Sequence, residues 1–105
     1  MKYFTHNIEP DIQHAIYGTS LQEVINCPYD LLTTAFGQPT DCDYDKVDSE
    51  WIIKFSDGTI ATIYDWKVGK NYLGKEGITP EANTVWHIGG FNSDAVINVM
   101  EVLDL

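Results

Sequence analysis

The chain has 105 residues, of which 44% are hydrophobic and 21% charged, a composition typical of one folded globular domain. Its formal net charge is −10, because 16 acidic residues stand against 6 lysines and no arginine. This balance argues against nucleic-acid binding, which needs a basic footprint, and against anionic membrane surfaces. The acidity suits a basic protein partner, or it copies the charge of DNA and occupies a DNA-binding site, or it serves only to keep the chain soluble.

The sequence shows neither a recognisable targeting signal nor a cysteine motif. The first residues lack the apolar core of a signal peptide, and no run approaches the ~18 apolar residues of a membrane span. We therefore expect an intracellular protein. Cys27 and Cys42 form no CxxC pair, which indicates reduced thiols rather than a disulfide framework or a metal motif. We expect neither a cofactor nor a bound metal.

The first third of the chain predicts an edge segment, an ambiguous segment and a short helix. Residues 1–11 are polar and are expected to form a flexible arm or an edge element. Residues 12–25 carry apolar side chains whose spacing fits a strand or a helix, and both interpretations stay open. A helix over about 28–36 is predicted, with Pro28 in its first turn and Gly37 as its left-handed end. The predicted cap is Asn26 or Cys27.

The strongest structural signal is the dipeptide Asp57-Gly58 between two apolar, β-branched runs. It predicts a hairpin with a two-residue type I′ turn, in which Phe55 pairs with Ile60. This register also places Glu50 opposite Asp65. It assigns to the core face the residues Trp51, Ile53, Phe55, Ile60, Thr62 and Tyr64.

The remainder predicts a long loop over 67–84, a strand over 85–88 that ends at Gly89-Gly90, and a final helix capped by Asn92 or Ser93. The apolar face of that helix carries Val96, Val99, Met100 and Leu103. The predicted fold class is α+β. A small, mainly antiparallel sheet around the Asp-Gly hairpin carries two helices on one face, in a single domain over 1–105.

No residue spacing predicts catalysis or a metal site. Asp41, Asp43 and Asp45 alternate like the start of an EF-hand, but Lys46 and Ile52 stand where that motif needs Gly and Glu. The three histidines are scattered, and no nucleophile elbow or phosphate loop occurs. The expected Glu50–Asp65 pair is interpreted as a solvated pair at a frayed hairpin end. We therefore expect a binding protein and not an enzyme.

Two binding surfaces are candidates. An acidic and aromatic surface would meet a partner protein through charge and buried rings. A ligand site would instead use lysines and glycine N–H groups on phosphate, with Trp66 or Trp86 stacked on a base, although Trp86 also fits the core. The first surface comprises Asp41, Asp43, Tyr44, Asp45, Asp48, Trp66 and Tyr72. The second comprises Lys67, Lys70, Lys75, Trp86, His87, Gly89 and Gly90.

Seven short motifs across about residues 18–103 together resemble a family of small proteins encoded by tailed bacteriophages. They are Gly18-Thr19-Ser20-Leu21-Gln22, Phe36-Gly37-Gln38-Pro39, Glu50-Trp51-Ile52-Ile53, Asp57-Gly58-Thr59, Ile63-Tyr64-Asp65-Trp66-Lys67, Tyr72-Leu73-Gly74 and Trp86-His87-Ile88-Gly89-Gly90. The resemblance implies a phage origin and action in the cytoplasm of the infected bacterium, but no particular activity or catalytic residue. The leading expectation is a host-takeover or counter-defence inhibitor of a host or defence protein. The alternative is a sponge for a nucleotide signal, and self-association stays open.

Overall fold

The computed structural model describes residues 2–42 and 46–105, which fold around one antiparallel sheet. The strand order is β1-β4-β5-β6-β2, and the short β3 pairs with the start of β4. The helices α1 and α3 pack on one face of this sheet, which confirms the predicted α+β class. The strands are β1 (Tyr3–Thr5), β2 (Ser20–Asn26), β3 (Thr40–Asp41), β4 (Ser49–Phe55), β5 (Ile60–Tyr64) and β6 (Val85–Gly90). The helices are α1 (Tyr29–Phe36), α2 (Lys70–Leu73) and α3 (Asp94–Leu103).

The N-terminal segment forms the outer edge of the sheet, as one of the two predictions for it required. Strand β1 pairs antiparallel with the end of β4. His6 fastens this edge, because its backbone N–H donates to the Ile52 carbonyl and its Nε2 lies 2.9 Å from the Gln38 carbonyl. The ambiguous segment contains both kinds of structure, a 3-10 helix over Pro10–Ile16 followed by β2.

The Asp57-Gly58 hairpin is present, but the predicted register is wrong by one residue. Lys54 pairs with Ile60, and the Gly58 N–H donates to the Phe55 carbonyl. Gly58 has a φ of 90°, so the loop is a type I turn closed by a left-handed glycine, three residues long. A slip of one residue exchanges the two faces of a strand. The core side of β5 is therefore Ala61 and Ile63, while Ile60, Thr62 and Tyr64 point to the opposite face.

The core holds helix α1 against the sheet through two buried tryptophans. Trp51 Nε1–H donates to the Gly37 carbonyl at 2.8 Å, just after α1 ends. Trp86 Nε1–H donates to the Cys27 carbonyl at 3.2 Å, just before α1 begins. Helix α1 thus spans the predicted range, although Pro28 occupies the cap position and no side chain caps the helix.

The prediction of a long loop without regular secondary structure over 67–84 is wrong. This segment contains α2 and two 3-10 helices, Gly74–Glu76 and Pro80–Ala82. Its anchor is Asp48, whose carboxylate accepts the backbone N–H groups of Lys70 and Asn71 at 2.9 Å each. The predicted third strand also extends further than expected, because Gly89 and Gly90 lie within β6 and not after it.

Replacing Trp86 with Phe should lower the free energy of unfolding by about 2–4 kcal/mol. The substitution leaves the Cys27 carbonyl without its donor and removes volume from a site where Trp86 is 0% exposed. The same change at Trp66, which is 38% exposed, is the matched control and should shift stability by less than about 1 kcal/mol. Urea unfolding followed by circular dichroism measures the stability of both variants. Equal losses of stability would contradict the role of the Trp86–Cys27 hydrogen bond in holding α1.

Candidate functional site

The face of the sheet away from α1 and α3 carries one row of polar and aromatic side chains. Glu50 on β4 pairs with Tyr64 on β5, and Tyr64 pairs with His87 on β6. Directly paired residues of antiparallel strands project on the same side, so these three side chains stand next to one another. The next row contains Thr62 and Gly89, which also pair across β5 and β6. Three strands thus position the site rigidly.

A cavity of about 240 Å³ lies over these rows. The 3-10 helix Pro10–Ile16 and the start of β2 supply one wall, and β4, β5 and Trp66 supply the rest. Of the residues that the structure describes, Glu50 is the only charged one in the lining, and most of the lining is apolar. The lining residues are Ile16, Thr19, Ser20, Val47, Glu50, Thr62, Tyr64, Trp66 and Gly89.

Gly89 allows the Thr62 side chain to pack closely against β6 beside this cavity. A Cβ at Gly89 would lie 2.5 Å from Thr62 Oγ1 and 3.5 Å from the Tyr64 ring, so an alanine would push these groups apart. Gly90 does the same on the other face, where a Cβ would meet that of Ala95 in α3. The expectation that both glycines offer free backbone N–H groups is wrong, because β6 is an inner strand paired with β5 and β2.

Glu50 is the electrostatically unusual group of the cavity. Burial raises the pKa of its carboxyl from 4.5 to about 7. Its carboxylate has no hydrogen-bond partner within residues 2–42 and 46–105. Burial and the nearby Glu50 charge together raise the pKa of the Tyr64 hydroxyl, and burial lowers the pKa of His87. Near neutral pH, Glu50 therefore changes protonation while His87 is held in its neutral form.

An aromatic cluster with two lysines borders the cavity. Trp66 lies 6.1 Å from Tyr64 and 6.3 Å from His87 between ring centroids. The Nζ atoms of Lys46 and Lys67 lie 5.8 and 5.7 Å from the Trp66 ring centroid, a distance at which a cation and an aromatic ring attract each other. We call Tyr64, Trp66, His87, Lys46 and Lys67 the aromatic–lysine cluster.

The backbone of Lys67 has an uncommon conformation and is fixed by a hydrogen bond. Its φ of 61° is left-handed, an uncommon conformation for a residue other than glycine, and its N–H donates to the Lys46 carbonyl at 2.9 Å. The segment before β4 and the segment after β5 are thus joined where the two lysines flank Trp66. Strained backbone of this kind often marks a functional position.

The predicted ligand site comes together only in part. Lys67, His87 and Gly89 meet at the cavity or its border, together with the proposed stacking residue Trp66. Trp86 is fully buried in the core and offers no ring to a ligand, and Gly90 faces α3. The Lys70 ammonium donates to the Gly77 carbonyl at 3.1 Å within its own loop. Lys75 is exposed in the 3-10 helix Gly74–Glu76 and is absent from the cavity lining.

The predicted acidic surface is also changed by the structure. Asp48 is used internally as the anchor of α2, and the expected Glu50–Asp65 pair does not form. Asp65 is buried instead, and its Oδ1 accepts the backbone N–H groups of Asp48 and Ser49, while burial raises the pKa of its carboxyl. Asp41 contributes its backbone to β3. The predicted contacts Asp43, Tyr44 and Asp45 lie outside the described residues.

The aromatic members of the predicted surface do come together. Trp66 and Tyr72 are 38% and 45% exposed, and the Lys67 ammonium lies within 6 Å of both ring centroids, at 5.7 and 5.8 Å. Sequence reasoning missed Glu50, Tyr64 and Lys46 as site residues. Only the correct hairpin register would have revealed that Glu50 stands beside Tyr64.

A larger cavity of about 420 Å³ is lined by Cys42, Asp48, Asn71 and Glu81 among others. Two of its polar side chains are engaged within the fold, because Asp48 caps α2 and the Asn71 amide donates to the Cys42 and Val47 carbonyls. The smaller cavity at Glu50 is therefore the better candidate for a ligand.

No protein-family model and no curated protein sequence matches the chain. Within residues 2–42 and 46–105, no three acidic, histidine or cysteine side chains are grouped as a metal would require. In the same part of the chain, every helix falls short of the length and apolarity needed to cross a bilayer.

Replacing Glu50 with Gln should flatten the dependence of stability on pH. Because burial raises the pKa of Glu50 to about 7, the folded protein holds a proton between pH 4.5 and 7 that the unfolded chain has lost. The free energy of unfolding therefore falls as pH rises through this window, by roughly 3 kcal/mol at most. Gln carries no charge to desolvate, so the variant should be more stable than the wild type above pH 7.

The measurement is urea unfolding at pH 5, 6, 7 and 8, followed by circular dichroism. Glu101, which is exposed on α3, supplies the matched control Glu101→Gln, and its curve should run parallel to that of the wild type. A difference between Glu50→Gln and wild type that stays constant from pH 5 to 8 would show that Glu50 has an ordinary pKa.

Proposed function

We propose that the protein works by binding rather than by catalysis, and that its ligand is a nucleotide held at the Glu50 cavity. The observation that supports this most is convergence. Trp66 follows β5 and is well separated in sequence from His87 and Gly89 on β6, yet these residues meet at one cavity or its border, with two lysine ammonium groups beside it. A ring for stacking next to positive charge for phosphate is what nucleotide binding requires.

The bacteriophage resemblance supports a biological setting for this activity. In that setting the protein is a counter-defence protein that sequesters a nucleotide signal in the cytoplasm of the infected bacterium. A sponge needs no catalytic group, and it must bind tightly enough to outcompete the receptor that it deprives of signal. Its affinity should therefore be micromolar or better, which corresponds to about 8 kcal/mol.

Calorimetry with purified protein and a panel of mono-, di- and cyclic nucleotides tests this proposal. At least one nucleotide should bind with micromolar or tighter affinity, and Lys67→Ala should weaken that binding about tenfold or more through loss of a charged contact. Lys54→Ala is the matched control, because Lys54 is exposed and lies at the opposite end of β4 from Glu50. If no nucleotide of the panel binds, the proposal is refuted. Tight binding that Lys67→Ala leaves unchanged would place the ligand elsewhere.

A second candidate is an inhibitor that binds a host or defence protein, and one observation favours it. Trp66 and Tyr72 are exposed rings linked by the Lys67 ammonium, and they form one patch. Exposed Trp and Tyr residues supply much of the affinity of protein interfaces. Of the acidic residues of the expected surface, Asp48 is less available to a partner, because its carboxylate is engaged with the backbone of α2.

Affinity capture from infected bacterial lysate tests this second candidate. The double variant Trp66→Ala, Tyr72→Ala should lose a protein that the wild type retains, because both rings of the patch are removed. Tyr17 and Phe91 are exposed elsewhere at 79% and 54%, so Tyr17→Ala, Phe91→Ala removes two rings that are more exposed and should retain that protein. Identical captured proteins for the wild type and both double variants would exclude the Trp66–Tyr72 patch as the contact.

A further inference from the structure

The Glu50 carboxylate restricts the chemistry of the ligands that the cavity can bind. Among the described residues of the lining it is the only charged group, it lies among mostly apolar walls, and no described residue hydrogen-bonds to it. Glu50 is partly buried, and a partly desolvated carboxylate without donors gains from a ligand that brings N–H or O–H groups to it. A carboxylate has two oxygens and binds most strongly to a pair of adjacent donors.

The walls of the cavity favour a flat ring system. Gly89 contributes only backbone to the lining beside the Tyr64 ring. Tyr64 and Trp66 both line the cavity, and their rings stand at 78° to each other. His87 packs against both rings, at 5.5 and 6.3 Å between centroids, and fixes their positions. Pre-positioned aromatic walls of this kind suit a planar heterocycle.

The surroundings of the cavity select the charge of the ligand. The Lys46 and Lys67 ammonium groups lie within 6 Å of the Trp66 ring centroid, at 5.8 and 5.7 Å. Two positive charges beside a lining residue repel a cationic ligand and attract an anionic group held outside the cavity. At about 240 Å³ the cavity is below the usual range for a whole drug-sized ligand, which fits a base inside and phosphate at the lysines.

Resting on the proposed function, we infer that the cavity selects guanine among the bases, with Glu50 accepting the two adjacent donors of its Watson–Crick edge. Guanine presents N1–H and the N2 amino group side by side, which matches the two oxygens of a carboxylate. Adenine presents its N6 amino group beside the acceptor N1, and cytosine presents its N4 amino group beside the acceptor N3. Either of these bases would set a lone pair against one carboxylate oxygen.

The substitution Glu50→Gln gives this inference a sharp test, because an amide offers one donor and one acceptor. That pattern is complementary to adenine and mismatched to the paired donors of guanine. The variant is expected to fold, since removal of the buried charge should stabilise it above pH 7. Selectivity between the two bases should therefore change while the fold and the lysines stay the same.

The experiment is calorimetry at pH 8 with GMP and AMP, on wild type and Glu50→Gln, with spermidine as a cationic probe. Wild type should bind GMP about tenfold or more tightly than AMP, and Glu50→Gln should lose that preference or reverse it. Equal affinity for GMP and AMP in the wild type would overturn the guanine inference and leave nucleotide binding standing. A preference for GMP that Glu50→Gln does not change would overturn the role of Glu50.

Two further outcomes are decisive. Tight spermidine binding that Glu50→Gln abolishes would show that the carboxylate pairs with an organic cation, which overturns the guanine inference. No binding of either nucleotide, together with silence across the wider nucleotide panel, would overturn both the inference and the proposed function.

Discussion

The fold depends on two indole hydrogen bonds that hold helix α1 by both of its ends. Trp51 reaches the carbonyl after the helix and Trp86 the carbonyl before it, and the two rings meet edge to face at 5.3 Å. Their strands are separated by β5, so this contact also ties three strands together. In a chain of only 105 residues, such aromatic side chains supply much of the area that the domain buries on folding.

The same strands serve the core on one face and the cavity on the other. Trp51 is buried under α1, and its neighbour Glu50 faces the cavity; Trp86 and His87 divide in the same way, as do Gly90 and Gly89. Because successive residues of a strand point to opposite faces, each core residue fixes the position of a site residue next to it. Repacking the core would therefore move the site as well.

The sequence predicted those elements whose signals are local. Gly37 ends α1 with a φ of 79°, as its position after an apolar stripe indicated. Asp57-Gly58 correctly predicted a hairpin but not its loop length, since the same dipeptide fits a two-residue or a three-residue loop. That one-residue error hid Glu50, which was paired with Asp65 and not with Tyr64. The meeting of Trp66 with His87 depends on pairing between β5 and β6, which no local pattern encodes.

The three tryptophans differ in their exposure to solvent, so their fluorescence should differ as well. Trp51 and Trp86 are fully buried, whereas Trp66 is 38% exposed at the border of the cavity. Intrinsic fluorescence should therefore contain a blue-shifted component from the two core indoles and a red-shifted component from Trp66. A soluble quencher such as iodide would reach only the second component. An occupant of the cavity would shield it, so emission could report occupancy and unfolding separately without any added label.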